Sequence, residues 1–416
     1  MILDTGDTAF VLICSALVLM MTPALAFFYG GLVTRRNVLN TMVSSFAIMG
    51  VASVLWVLVG YSLSFGGNLG GILGDLRWFG LGGVGTTPNA DYAGTIPHLL
   101  FAAFQMMFAV ITPALITGAI AERMRFSALL LFVAAWSLLV YYPLAHMVWG
   151  TGGFLRGLGT LDFAGGNVVH ISSGVSGLVA ALLLGRRNGA YGEETHKPHN
   201  LPFVLLGAGL LWFGWFGFNA GSALAANGIA VQAFVTTNTA AAGAMLSWML
   251  TERLFNGKAT ALGAATGAVV GLVAVTPAAG FVPVWAALVI GLVVSPLCWV
   301  MIVKVKGSLH YDDALDAFGC HGIGGIWGGI ATGLFATNLV NPAVVDQGLF
   351  FGGTKLIFAQ LAAIGITVVL AGGMTFGILK LISLFLPLRV SADDENVGLD
   401  ASQHAESAYP SFEGLD

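Results

Sequence analysis

Two histidines stand where a titratable ring is hard to keep. His321 lies in GCHGIGGIWGG, residues 319–329, and His170 lies in VHISSGVSGLVA, residues 169–180. Each is followed by glycines four and seven residues on (Gly174 and Gly177; Gly325 and Gly328) and by an alanine ten residues on (Ala180; Ala331). An aspartate precedes each by eight residues, Asp162 and Asp313. Five shared points about 150 residues apart read as an internal repeat.

A neutral imidazole offers one donor and one acceptor. Two of them meeting on a pseudo-twofold axis would hydrogen-bond each other and line a narrow path. The bland alternative is a core histidine bonded to a neighbouring carbonyl, but ionisable groups inside a membrane are costly and mark functional sites by default. Metal ligation needs a third or fourth ligand. Cys320 adjoins His321 but points about 100° away on a helix, so no metal or other cofactor is expected.

Asp162, in LDFAGGNVVH, admits two roles that can coexist. It caps the backbone N–H groups of a helix start, or it orders a cation-attracting vestibule. Aromatic residues cluster in FQMMF (Phe104, Phe108), HMVWGTGG (Trp149) and WFGWFGFNAGS (Trp215, Phe218). A membrane aromatic belt accounts for such residues, and so does a cation–π site for a small cation. Position alone leaves both open.

The elements that carry these residues follow from composition. The chain has 416 residues, 57% hydrophobic and 9% charged, far below the charge of a soluble domain. Its 58 glycines suit helices that approach closely in lipid. A net charge of −4 supplies no basic footprint for nucleic acid. The three cysteines, Cys14, Cys298 and Cys320, lie in apolar runs and predict neither disulfide nor metal knuckle. The N-terminus opens with Asp4 and Asp7 and has no basic residue before Arg35, unlike a cleaved signal peptide.

Apolar runs long enough to span a bilayer fall near 8–33, 38–64, 96–120, 126–147, 167–185, 202–223, 228–254, 259–277, 282–303, 316–338 and 351–386. The reading is an all-α integral membrane protein of eleven transmembrane helices. With the N-terminus outside, only Arg77, Arg156 and Lys355 of the 16 Lys and Arg fall in outer loops, as the positive-inside rule requires. The C-terminus is then inside. A repeat unit of five helices is odd, so its second copy is inverted, and such repeats place a pathway at their interface. The eleventh helix has no counterpart and is expected to pack across both halves. Residues 1–388 form the membrane domain, and the polar, acidic residues 389–416 form an inner tail. Basic inner loops such as GRRNGAYGEETHKPHN, residues 185–200, offer that tail a surface on which to order.

The motifs FYGGLVTRRNVLN, AERMRFSALLLF, PLAHMVWGTGG, LDFAGGNVVHISSG, KPHNLPFVLLGAGLLWFGWFGFNAGS, VTPAAGFV and DDALDAFGCHGIGG resemble those of the ammonium transporter (Amt) family. They cover essentially all eleven expected spans in order. The tail segment VGLDASQHAESAY also resembles prokaryotic members, though Ala405 stands where Gly is usual.

The resemblance implies a multi-pass transporter of the inner cell membrane, not an enzyme, assembled as a homotrimer with one pore per subunit. It assigns Trp149, Phe108 and Ser222 to an outer ammonium-recruitment site supported by Asp162. Phe108 and Phe218 become a stacked gate, His170 and His321 the twin pore histidines, and Asn219 and Trp215 supporting positions. The aromatic and serine set at the mouth sets the chain apart from Rhesus-type gas channels. Methylammonium is the expected analogue, and a PII signal protein the expected partner at the inner face, in a system serving nitrogen assimilation. The rival readings are an ammonium sensor signalling through the tail and a membrane metalloenzyme using the histidines.

Chemistry favours dividing the task. A cation–π cage contributes about 0.5–2 kcal/mol, whereas a charge at mid-bilayer costs about 3 kcal/mol or more. A cage therefore recruits ammonium but does not carry it through an apolar lumen. Ammonium can lose a proton and pass as ammonia, and potassium cannot. Separate transfer of the proton would make uptake electrogenic.

Overall fold

The structure is a computed structural model that describes residues 2–190 and 197–409. Part of the basic loop expected to receive the tail (191–196) and the tail's last residues (410–416) lie outside the described residues.

The long helical runs are α1 (Thr5–Leu32), α2 (Arg35–Phe65), α3 (His98–Ile120), α4 (Phe126–Gly157), α5 (Gly166–Leu184), α6 (Leu201–Gly221), α7 (Gly228–Asn256), α8 (Ala261–Val275), α9 (Val284–Leu309), α10 (318–335) and α11 (Lys355–Ser383). Nine of them, all but α8 and α10, are long and apolar enough to cross a membrane. The remaining two fall on the eighth and tenth expected spans. α10 reads weakly because half its first ten residues are glycine or histidine rather than aliphatic.

Side-chain caps mark several starts. Asp4 accepts the Asp7 N–H, Asn200 accepts that of Phe203, Asn227 those of Ile229 and Ala230, and Thr260 that of Gly263. Each satisfies a donor that the helix itself cannot.

The two sets of five helices pair their members alike. α3 packs on α5, and α8 packs on α10. The first helices of the two sets, α1 and α6, share the longest seam. It closes where a side chain at Gly207 would meet the Phe28 nitrogen at 2.4 Å, the close backbone approach that small residues permit.

The starts of α5 and α10 are braced on opposite ends of the bundle. The Phe163 N–H donates to the Pro277 carbonyl just beyond α8, at 3.1 Å. The Leu315 N–H donates to the Gly118 carbonyl in the last turn of α3, at 2.9 Å. The helices carrying the two histidines therefore run past each other in opposite directions. α11 packs on both of them, as its lack of a repeat partner predicts.

Loops holding Arg36, Arg123 and Arg187 gather with the tail at one end, the inner end by the charge rule. At the other end β1 (Asn68–Leu69) and β2 (Leu73–Gly74) form a short antiparallel hairpin. The Gly71 carbonyl of this hairpin accepts the Phe154 N–H at 2.8 Å.

The tail folds into α12 (Ala392–Val397) and α13 (Leu399–His404) against the inner loops. Arg36 donates to the Asn396 carbonyl, the Asn188 N–H to Glu395, and the Leu399 N–H to Asn37. Asp400 accepts the Asn40 N–H near the start of α2, at 2.8 Å. His199 meets the Tyr409 hydroxyl at 2.9 Å, and Arg35 lies 5.0 Å from the Tyr409 ring.

Candidate functional site

The two aspartates of the repeat perform the same local task. Asp162 accepts the N–H groups of Gly165, Gly166 and Asn167 at 2.7, 2.6 and 2.8 Å. Asp313 accepts those of Ala317 and Phe318 at 3.0 and 2.8 Å. Burial pushes both carboxyls up from the usual range, and the N–H donors pull each back toward the ionised form. Both are caps, and the Asp162 carboxylate is spent on backbone rather than held out to a cation.

Each histidine lies in a π-helical turn, Gly166–Ile171 or Phe318–Gly322. Such turns widen the helix and mark functional segments, and the sequence pattern did not disclose them. The repeated glycines explain how the turns meet. A side chain at Gly174 would lie 2.2 Å from the Gly322 nitrogen, and one at Gly325 would lie 3.1 Å from the His170 Cβ. Each glycine, four residues beyond its own histidine, admits the backbone that carries the other.

The result is direct contact. Nδ1 of His321 lies 3.3 Å from Nδ1 of His170, and the ring centroids are 5.3 Å apart and nearly parallel at 16°. His170 continues the stack onto Trp215 at 5.5 Å and Phe218 at 6.1 Å. Trp215 is held by its indole N–H, which donates to the Thr276 hydroxyl at 2.9 Å. Nε2 of His170 has no protein partner, and both rings border an enclosed apolar cavity of about 20 Å³, room for about one water. Cys320 borders this cavity as well. Among the described residues no group of three or more His, Cys, Asp or Glu could hold a metal ion.

Phe108 and Phe218 close the outer end of this lumen, with centroids 4.3 Å apart and planes at 38°. Above them opens a vestibule of about 540 Å³ bordered by Phe108, Trp149, Asp162 and Ser222. Trp149 stands edge-on to Phe108 at 6.1 Å, and its indole N–H donates to the Asp162 carbonyl at 2.9 Å. The capping residue of α5 thus also orients the indole. The Ser222 hydroxyl, at the border of the vestibule, donates to the Phe218 carbonyl at 2.8 Å, which leaves its lone pairs free to accept.

The structure therefore places along one axis eight of the nine residues to which the resemblance assigned a role. Asn219 is the exception: it borders none of the three cavities along this axis. Its amide N–H donates to Thr237 on α7, and its Oδ1 is buried without a partner.

Below the histidines a second vestibule of about 290 Å³ is bordered by Phe28, Arg187, Lys306, Asp312 and Asp316. Sequence reasoning missed what shapes it. Arg187 is bidentate to Asp312 at 2.8 Å through Nε and Nη2, and its Nη1 pairs with Glu122. All three side chains are nearly fully buried. Glu122 holds a left-handed backbone, φ 68°, and accepts from Thr34 and Asn37. Burial alone would raise the Asp312 carboxyl, but the Arg187 guanidinium holds it down at about 2. Lys306 pairs with Asp316 at the same mouth. The doubled acid at 312–313 and the charged pair at 122–123 were the available signals.

The sequence profile of the Ammonium Transporter Family matches residues 9–409. An ammonium transporter of Bacillus subtilis (strain 168) is 55% identical over 408 residues, 98% of this chain and 99% of the relative. Ammonium transporter Amt1 of Archaeoglobus fulgidus is 46% identical over 408 residues, covering 98% and 100%. Among solved structures, Mep2 of Saccharomyces cerevisiae superposes with TM-score 0.87 at 37% identity, covering 94% of this chain and 91% of that one. A structure described as a sensor Amt protein gives TM-score 0.88 at 26% identity, covering 96% and 98%.

Proposed function

The chain belongs to the ammonium transporter family, and we propose that it recruits ammonium at the outer vestibule, deprotonates it and conducts ammonia past His170 and His321. It is a multi-pass membrane transporter and not an enzyme. The observation that carries the finer reading is the stacked imidazole pair in a lumen with room for about one water.

A lumen that narrow offers no hydration shell to a cation, so a charge there meets the full desolvation cost. Ammonia needs only a donor or an acceptor at each step. The unpartnered Nε2 of His170 supplies one, and the paired rings pass that role from one half of the molecule to the other. Trp149, Phe108 and Ser222 supply the cation-facing surface above, and the Phe108–Phe218 pair separates ion from lumen. Trp215 supports His170, and Asn219 ties α6 to α7.

The released proton travels separately in this reading, so uptake moves charge. Eleven crossings of the inner cell membrane, with the N-terminus outside and the C-terminus inside, follow the charge asymmetry of the loops. Residues 1–388 form the pore and residues 389–416 a regulatory tail. A homotrimer and an inner-face PII partner fit the family resemblance, and the tail seated on the inner loops supports regulation from that side. Methylammonium is the expected transported analogue.

The test is current recording on protein reconstituted in lipid. An ammonium gradient should drive a current that an equal potassium gradient does not. Ammonium uptake without any current would remove the separate proton path and leave ammonia conduction alone.

A further inference from the structure

His146 is a buried histidine outside the pathway, and its partners demand more protons than a neutral ring carries. It lies on α4 three residues before Trp149 and is 0% exposed. Nδ1 is 3.0 Å from the Ser64 carbonyl oxygen, and Nε2 is 3.1 Å from Oδ1 of Asn68. That same Oδ1 accepts the Gly71 N–H at 2.7 Å, so a flipped Asn68 amide would set donor against donor. Both ring nitrogens thus face oxygens that only accept. A neutral imidazole has one N–H and would leave one lone pair against another. A second proton completes both bonds.

One partner, Ser64, ends α2, and the other, Asn68, belongs to the hairpin that grips the turn carrying Trp149. Asn68 and Gly71 lie in or beside β1, and the Gly71 carbonyl accepts the Phe154 N–H on the far side of that turn. Within the turn, the Gly150 N–H donates to the His146 carbonyl at 2.9 Å, and Arg156 donates to the Trp149 carbonyl at 2.9 Å. Releasing His146 frees the Asn68 bond and leaves the Phe154–Gly71 bond between hairpin and turn.

We propose that His146 is a positioning residue for Trp149 that works as an imidazolium, clamping α4 to the outer hairpin and loosening the vestibule when it loses its second proton. The proposal rests on the reading of Trp149 as the recruiting face.

Burial opposes a charge at this position. Two charge-assisted hydrogen bonds, each stronger than a neutral one, act the other way. So does the carboxylate of Asp75, just past β2, though more weakly than burial opposes it; it is paired to Arg77. The other ionisable groups on the segments packed against His146 (61–65, 137–149, 154–157 and 166–171) are Tyr61, Tyr141, Tyr142, Arg156 and His170, while Arg35 and Arg36 lie at the far end of α2. The tyrosines are uncharged over the working range.

The experiment is nitrogen-15 solid-state NMR of histidine-labelled protein in lipid vesicles, paired with ammonium half-saturation measured over about pH 5 to 8. The signal missing from His146→Gln should show both ring nitrogens protonated at the acid end. Wild-type half-saturation should rise about tenfold through that signal's midpoint, the effect of losing one charge-assisted hydrogen bond, while His146→Gln stays flat. Asn68→Asp, which keeps the Gly71 bond and adds a charge, should move the midpoint up by about one pH unit or more. A neutral His146 ring throughout overturns the proposal, as does an unmoved midpoint in Asn68→Asp. Half-saturation curves for wild type and His146→Gln that run parallel would overturn the positioning role. Unchanged half-saturation in Trp149→Leu would strike the recruitment reading instead, with the proton count of His146 still read from the spectrum.

Discussion

The start of α5 and the start of α10 are built on one pattern and end in different surroundings. Both place an aspartate cap eight residues before a histidine and set that histidine in a π-helical turn. At the outer end the Asp162 carbonyl also holds the Trp149 indole, beside Phe108 and Ser222. Among the described residues the inner vestibule is bordered by Phe28 and by the Arg187–Asp312 and Lys306–Asp316 ion pairs. The residue before each cap states the contrast. Leu161 is held through its backbone by the Gln360 amide of α11, whereas Asp312 is held through its side chain by Arg187. Symmetry made the matched imidazoles, and departure from symmetry gave one mouth aromatic and hydroxyl groups and the other ion pairs. A transporter that collects on one side and releases on the other needs both.

The caps themselves break the comparison most severely. Asp162→Ala orphans at least three buried N–H groups and should cost about 4 kcal/mol, while Asp313→Ala orphans two and should cost about 2 kcal/mol. Thermal unfolding of both variants in detergent checks the ratio, and equal losses would mean that the two caps are not the quantity that differs.

Replacing either histidine with aspartate tests whether the symmetric centre alone excludes ions. A carboxylate keeps water in the lumen, so potassium conductance should rise about 100-fold in His170→Asp or His321→Asp, as an insertion cost of about 3 kcal/mol implies. Continued exclusion of potassium would sink the dry-lumen account of selectivity.

Acid should loosen the inner end first. The Asp312 carboxyl is held at about 2 in the folded protein against an ordinary 3.8 or so. Its contribution, about 2 kcal/mol, is present above pH of about 4 and is lost as pH falls toward about 2. Asp312→Asn should flatten that part of the stability–pH curve, measured by melting temperature. A variant that keeps the wild-type slope would assign acid sensitivity elsewhere.

At the outer mouth, Trp149→Leu removes the best cation–π face and should raise ammonium half-saturation by up to about tenfold, with the maximal rate less affected. An unchanged concentration dependence would return Trp149 to the aromatic belt.

The smallest effect concerns the tail, which docks on the inner end alone. Ala405 closes α13 with φ 56° and ψ 33°, a left-handed conformation that favours glycine. Ala405→Gly should tighten the tail by about 1 kcal/mol, seen as slower proteolysis between residues 389 and 409. Faster cleavage would show that the left-handed turn does not limit docking.

The sequence alone determined the lipid solvent, the run of helices, the inverted repeat and the residue types along the axis. These are written in local signals: 9% charged residues, apolar runs of bilayer length, and five residues repeated at fixed spacing. It also offered capping as one of two roles for Asp162, because capping joins neighbours in the chain. Tertiary structure alone decided the rest. His170 and His321 touch because Gly174 admits the Gly322 backbone from the other half of the chain. The Phe108–Phe218 contact joins side chains of α3 and α6, and the Arg187 cluster joins residues 122, 187 and 312. The split between cap and cage at Asp162 was likewise beyond reach of spacing, since its carboxylate serves its own helix while its carbonyl serves Trp149. Local chemistry is legible in order along a chain. Contacts between distant segments depend on backbone approach and side-chain orientation, which only packing fixes.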